Sequence, residues 1–372
     1  MKKTRLGLLF GGRSCEHEIS VISARSIFQA VDRGKYEVFL IGIDKSGRWR
    51  LGRDFAQLLD AAEKSVAPPS GAGDDAVSFA LHHRGNLVSA APAAQLPQLD
   101  VLFPALHGTF GEDGTIQSVC EMAGIAYVGC GVAASALALD KSLAKKVFRA
   151  AGIPQAAHLD VNAAQWRAQE EALARSEAQL GYPVFAKPAN LGSSVGVGKA
   201  HDRAQLRRAV EEAFRFDAKV VIEKSMENCA EVECAVLGNA GNARASAVGE
   251  IAPGAEFYDY ASKYLNDTAE LVVPARIPES AAARVRELSL AAFDEIGGAG
   301  LARADFFVHR ESGEVALNEI NTLPGFTPIS MYPRLWEASG VPYSELIDRL
   351  IALAFEAHRA KSELQREFAP GQ

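Results

Sequence analysis

LARADFFVHRESGEVALNEIN, residues 301–321, sets the first constraint on the fold. The run around Glu311, Ser312 and Gly313 is turn-forming, so the stretch predicts two strands joined as a β-hairpin. Pairing centred on Ser312 sets Asp305 opposite Glu319 and Arg303 opposite Asn321, and the two-residue period carries all four side chains onto one face. Two carboxylates and an amide oxygen on one surface form a hard-oxygen cluster. Such a cluster suits Mg2+, which takes a few protein ligands and completes its shell with phosphate oxygens and water. Arg303 beside them suits an anionic intermediate. A cross-strand salt bridge on a solvated face would use the same arginine and acids, but Thr322, Leu323, Pro324 and Gly325 directly after Asn321 favour a site. A bulge in the hairpin would slip the pairing by one residue.

Upstream, Lys187 lies on an extended segment before the loop Asn190, Leu191, Gly192, Ser193, Ser194, Val195, Gly196. Glycine leaves room for the backbone N–H groups of residues 192–194 to approach a phosphate, and Lys187 adds a point charge. The pattern is not the Walker loop, because no Lys-Ser or Lys-Thr closes a G-x-x-x-x-G spacing. Taken as an isolated Gly/Ser loop, it is better accounted for by a simple turn. Nearer the N-terminus, Glu16 opens a helix after the first strand, where it suits either a substrate ammonium or the helix dipole. His107 begins a stretch of glycines and two acids after the strand 100–104, the end at which open α/β sheets bind ligands. Residues 220–224, followed by Glu231, fit a nucleotide cleft or a strand ending in solvated charges.

Composition narrows the classes. A chain of 372 residues, 48% hydrophobic and 23% charged, is too long for one ordinary core and predicts two or three packed units. A formal net charge of -7 argues against a nucleic-acid partner while leaving room for a basic pocket that holds one nucleotide. Cys15, Cys120, Cys130, Cys229 and Cys234 are odd in number and lack C-x-x-C spacing, as expected of reduced cytosolic thiols. Residues 6–10 are too short for a signal-peptide core, and the uncharged residues 122–139 are broken by Gly124, Gly129 and Gly131. Neither export nor a membrane span is expected.

Strands at 6–10, 36–44 and 100–104, with helices from about residue 16 and after residue 113, predict parallel βαβ units. Residues 61–76, with Pro68, Pro69, Gly71 and Gly73, read as a surface insertion. A helix over 134–151 stops at Gly152 and Pro154. A helix over 162–180, an extended 183–187, a helix over 202–216 and a strand at 219–223 make a compact α+β unit. Strands at 231–237, 243–251, 301–308 and 314–321, with helices over 279–296 and 343–358, complete a third. The expected boundaries are 1–133, 134–226 and 227–372.

Taken together, GGRSCEHEIS (11–20), LHGTFGEDGTIQ (106–117), DKSLAKKVFRAAGIP (140–154), FAKPANLGSSVGV (185–197), FYDYASKYLND (257–267), ARADFF (302–307) and NEINTLPGFTPISMYP (318–333) resemble the D-alanine:D-alanine ligases of the ATP-grasp superfamily. The likeness is greatest to the longer form with an N-terminal insertion. It implies an α/β and α+β ATP-grasp fold: an N-terminal parallel-sheet domain and two α+β domains clasping ATP, with amino acids where all three meet. It implies that Lys141 and Lys187 contact ATP phosphates beside the Ser193–Ser194 loop, while Glu223 and Glu231 line the adenine and ribose pockets. Asp305, Glu319 and Asn321 match Mg2+ ligands, a set that also suits Mn2+. Glu16 matches the residue holding the first D-alanine's ammonium, joined to Ser193 and Tyr264 in a network that closes the site. Arg303 and the Gly325 N–H match the oxyanion stabilisers, Lys263 and Ser330 lie near the second D-alanine's carboxylate, and His107 lies near the first substrate. A cytoplasmic homodimer is implied. A D-alanine:D-lactate or D-alanine:D-serine ligase is the nearest rival, against which Tyr264 in SKYLND speaks; a non-catalytic nucleotide-binding regulator is the rival of another class.

Overall fold

The computed structural model describes residues 2–52, 55, 58, 77–79, 87–89, 97–252, 270–327 and 329–365. The expected insertion at 61–76 and the segment 257–267, with Lys263 and Tyr264, lie outside the described residues.

The first unit runs β1 (Thr4–Gly11), α1 (His17–Ala30), β2 (Tyr36–Ile43), β3 (Trp49–Gly52), a separate ribbon of β4 (Val77–Phe79) and β5 (Leu87–Ser89), then β6 (Val101–Pro104), α2 (Thr115–Ala123) and β7 (Ala126–Tyr127). Its sheet order is β3-β2-β1-β6-β7, parallel except for β3 at one edge. Leu6, Leu8 and Phe10 of β1 enter one core and Leu9 another, so both faces are covered, as a parallel strand requires. At Gly11 the chain leaves the sheet with φ +90°, and a Cβ there would lie 2.2 Å from the Ile43 carbonyl oxygen. Only glycine permits that exit toward Glu16.

The expected helix over 134–151 is two helices, α3 (Val132–Leu139) and α4 (Lys141–Ala150). Asp140 divides them: its backbone is extended, and its carboxylate accepts from the Leu143 N–H at 3.1 Å, capping α4. The helix expected from residue 162 also starts later. Residues His158–Asn162 form β8, the Asn162 side chain accepts from the Gln165 N–H at 2.9 Å, and a 3-10 turn leads into α5 (Gln169–Leu180). β9 (Val184–Pro188), β10 (Gly198–Ala200), α6 (Arg203–Ala213) and β11 (Lys219–Lys224) follow, giving an antiparallel sheet in the order β10-β9-β11-β8.

The remaining elements are β12 (Cys229–Gly238), β13 (Arg244–Ala252), β14 (Glu270–Val272), α7 (Glu279–Glu295), β15 (Gly300–His309), β16 (Val315–Asn321), α8 (Met331–Ala338) and α9 (Tyr343–Ser362). The sheet order is β14-β13-β12-β15-β16, antiparallel throughout. One face packs against α3, α4 and α7, through Phe148, Val285 and Phe293. The other shares a core with α8, α9 and the first sheet, through Phe103, Leu237, Tyr332 and Leu350. Each fully buried side chain of this kind contributes about 1.5–3 kcal/mol, so the third sheet and the first are joined by a substantial common core.

Candidate active site

The face of β12 and β15 that forms core at one end forms the site at the other. Ala235, Leu237 and Leu301 face the shared core. Farther along, at the same two-residue period, come Glu233, Glu231, Arg303 and Asp305. Arg303 Nε lies 3.0 Å from Glu233 Oε2 and donates to Asp305 Oδ1 at 2.7 Å, while Nη2 donates to Asp305 Oδ2 at 2.6 Å. Burial opposes its charge, but Asp305 and Glu233 prevail and raise its pKa well above the ordinary arginine value. The hairpin pairs Arg303 with Asn321 and Asp305 with Glu319, as the spacing predicts, and then slips by one residue beyond Asp305. Asn318 is the extra residue. Its carbonyl accepts from Lys145 Nζ and its Oδ1 from Lys187 Nζ, each at 3.4 Å.

Two cavities meet along this face. One, of about 330 Å3, is lined by Glu16, His107, Ser193, Glu231, Arg303, Asp305, Glu319, Asn321, Gly325 and Ser330. The other, of about 460 Å3, is lined by Lys141, Lys187, Ser193, Ser194, Glu223, Glu231 and Glu319. The sequence-predicted residues that are described therefore gather at one place, drawn from all three sheets and their loops. Lys141 Nζ lies 3.3 Å from Glu319 Oε2 and donates to the Leu191 carbonyl at 2.7 Å. Glu223 is buried between Lys145, at 2.5 Å, and Lys187. Burial alone would raise the Glu223 pKa, but the two lysines hold it far below the usual carboxylate range, and Glu223 in turn raises Lys187 against the opposing effect of burial. Ser193 and Ser194 both take positive φ, 51° and 58°, and Gly196 follows at 70°. Left-handed non-glycine residues cost about 1–3 kcal/mol each, and a loop bent this way lets successive N–H groups converge on an anion.

At the end of the cleft formed by the first sheet's loops, Glu16 accepts a hydrogen bond from Ser193 Oγ. A Cβ on Gly108 would lie 2.5 Å from Glu16 Oε2, and one on Gly192 would lie 3.4 Å away, so two glycines make room for this carboxylate. Glu112 lies close by with its Oε2 accepting from the Gly108 N–H at 2.7 Å. Burial, reinforced by Glu16, raises its pKa well above the ordinary glutamate value. For a divalent cation, the donor set of Asp305, Glu319 and Asn321 is chemically suited to Mg2+. Among the described residues no three His, Cys, Asp or Glu side chains are grouped for a metal, and the third member of this set, Asn321, offers an amide oxygen.

Residues 147–352 match the family described as D-ala D-ala ligase C-terminus, and residues 5–130 match D-ala D-ala ligase N-terminus. The chain belongs to the D-alanine–D-alanine ligase family. It is 47% identical over 367 residues to the D-alanine–D-alanine ligase A of Chromobacterium violaceum, covering 98% of this chain and 99% of that relative. Among solved structures it resembles the D-alanine-D-alanine ligase from Coxiella burnetii, with a TM-score of 0.82, 34% identity and coverage of 98% and 97%. It also resembles the VanG D-Ala:D-Ser ligase from Enterococcus faecalis, with a TM-score of 0.81, 33% identity and coverage of 95% and 100%.

Sequence reasoning missed Glu112, Glu233 and Asn318, which line the cavities, and Lys145, which pairs with the cavity residue Glu223. Glu233 was legible, since it stands two residues from Glu231 on the same strand face. Lys145 was also legible, one helical turn from Lys141 on α4. Asn318 was not, because the bulge that brings it to the cavities breaks the two-residue period. Glu112 lay in a noted segment with nothing local to separate it from Asp113.

Proposed function

We propose that the protein joins two D-alanine molecules into D-alanyl-D-alanine, cleaving ATP to ADP and phosphate, and thereby serves peptidoglycan synthesis. The observation that carries this reading is the cleft in which Glu16, Arg303, Gly325 and the Asp305–Glu319 face adjoin a lysine-lined cavity. A carboxylate is a poor electrophile. Its oxygen must first take the γ-phosphoryl group of ATP, after which the amine of the second D-alanine attacks the carbonyl and phosphate leaves. In this reading Glu16 holds the first ammonium, Lys141, Lys187 and the Ser193–Ser194 loop hold phosphates, and Glu223 and Glu231 line the base and ribose pockets. Asp305, Glu319 and Asn321 would hold Mg2+, or Mn2+ in its place, which supplies positive charge for phosphoryl transfer. Arg303 and the Gly325 N–H stabilise the oxyanion, and His107 stands near the first substrate. Lys263, Ser330 and Tyr264 complete the proposal, the first two toward the second carboxylate and Tyr264 toward closure. The units 1–133, 134–226 and 227–372, a homodimer and a cytoplasmic setting belong to the same reading.

Incubation with ATP, Mg2+, D-alanine and a panel of D-amino and D-hydroxy acids, with products identified by mass, tests it. D-alanyl-D-alanine should dominate. The likeness to VanG motivates a second reading, in which D-alanyl-D-serine prevails when D-serine competes at equal concentration. ATP turnover indifferent to D-alanine would contradict both.

A further inference from the structure

α1 carries two buried serines one turn apart, Ser20 and Ser23, on the face that packs against the sheet. Ser20 is satisfied locally, since its Oγ donates to the Ala105 carbonyl at 2.5 Å and accepts from the Gly11 N–H at 2.7 Å. Ser23 reaches elsewhere. Its Oγ lies 3.0 Å from His107 Nε2 and accepts from the Phe326 N–H at 3.3 Å. The other ring nitrogen of His107, Nδ1, lies 3.1 Å from the Leu323 carbonyl. A carbonyl only accepts, so Nδ1 carries the ring proton. In a neutral imidazole Nε2 is then an acceptor, and the Ser23 hydroxyl donates its hydrogen bond to it. Burial lowers the His107 pKa, in keeping with a neutral ring.

We propose that Ser23, acting with the His107 ring, is a positioning residue that fixes the loop presenting Gly325 to the reacting carbonyl. The inference rests on the ligase reading, in which the Gly325 N–H is an oxyanion donor. The loop is held on both sides of that donor. Before it, the Leu323 N–H is held by Asn321 Oδ1 at 2.9 Å and the Leu323 carbonyl by His107. After it, the Phe326 N–H is held by Ser23, the Phe326 carbonyl by the Tyr343 hydroxyl at 2.8 Å, and the Thr327 N–H by Ser330 Oγ at 3.0 Å. Ser23 is the point at which the first sheet's helix touches both sides, directly at Phe326 and through His107 at Leu323. An oxyanion donor is effective only when it is fixed before charge develops, and a misplacement of about 1 Å can cost roughly a hundredfold in rate. Room is also limited: a Cβ on Gly325 would lie 2.7 Å from Ser330 Oγ, so the loop has little freedom to find another course.

Loosening this loop should weaken attack by the amine more than formation of the acyl phosphate. The accumulated acyl phosphate is then lost to water, which adds to the carbonyl, expels phosphate and returns D-alanine. The test measures ADP and dipeptide released by Ser23→Ala at saturating ATP and D-alanine, together with KM for ATP and Tm. The expected result is a dipeptide rate lower by about ten- to a hundredfold, an unchanged KM for ATP, and more than one ADP per dipeptide. Ser23→Thr, which keeps the hydroxyl, should restore the ratio toward one. Tyr343→Phe releases the Phe326 carbonyl from the opposite side and should uncouple in the same direction, so the inference remains testable if Ser23→Ala folds poorly. Wild type that makes no dipeptide would overturn the ligase reading and the inference with it. Wild type that makes one dipeptide per ADP, with variants that keep that ratio, would overturn the positioning role alone.

Discussion

At the level of single residues, Arg303 is bound on two sides by acids, and its charge is offset before any substrate arrives. Removing it takes away the cation that Glu233 and Asp305, cross-strand neighbours, share. Arg303→Ala is therefore expected to lower dipeptide formation by about a hundred- to a thousandfold, the usual cost of an oxyanion donor, while ATP affinity measured by calorimetry changes little. Equal losses in both would mark Arg303 as a structural ion-pair partner. Glu319→Gln keeps the shape of the site but removes a negative oxygen and the partner of Lys141 at 3.3 Å. It should raise the Mg2+ concentration needed for half-maximal turnover with little change in Tm; an unchanged Mg2+ titration would remove Glu319 from the metal set. Arg303, Asp305, Glu319 and Asn321 were legible because a strand's two-residue period is a strong geometric statement. Glu16 and Ser193, by contrast, are far apart in sequence, and no local pattern could show that they meet.

Among the elements, α4 carries more than its sequence announces. It starts at Lys141, which reaches Glu319, and one turn later places Lys145 in a buried pair with Glu223. Replacing a buried charge by an isosteric apolar group leaves its partner uncompensated. Lys145→Met should cost about 3 kcal/mol near neutral pH, at the low end for a buried pair because Lys187 still faces Glu223. The pH dependence follows from the sign of the shift. Glu223 has a depressed folded pKa, so its contribution is present above the ordinary glutamate value and fades as pH falls toward the folded one. Urea unfolding at about pH 7 and about pH 3 should show the gap between wild type and variant narrowing in acid; a constant gap would point to lost packing instead. In the last sheet β14 went unread, but β12, β13, β15 and β16 were legible to within two residues, whereas the break at Asp140 and the strand ending at Asn162 were not. In both cases a side chain that competes for backbone hydrogen bonds outweighed the surrounding helical composition. The helix Met331–Ala338 also went unread, because it follows a proline- and glycine-containing loop and carries Pro333 in its first turn.

Across the whole molecule, the first and third sheets share a core in which Phe326 stands between Phe103, Tyr332 and Tyr343, with ring centroids 5.7, 5.5 and 6.1 Å away. Phe326 follows Gly325 directly, so the packing that joins these units also fixes the loop at the reacting centre. The middle sheet brings Lys187 and Ser193 to the same place from the opposite side. The order of strands and helices made this division into sheets readable, but how the units meet depends on side chains hundreds of positions apart, such as Ser23 and Phe326. On the proposed reading, this meeting place activates a D-alanine carboxylate as an acyl phosphate and passes it to a second D-alanine. The most direct measurement uses D-alanine labelled with 18O in its carboxylate, with ATP and Mg2+, and follows phosphate and dipeptide by mass. The expected products are D-alanyl-D-alanine and an equal amount of phosphate carrying one labelled oxygen. Dipeptide accompanied by unlabelled phosphate, or phosphate release without dipeptide, would contradict it.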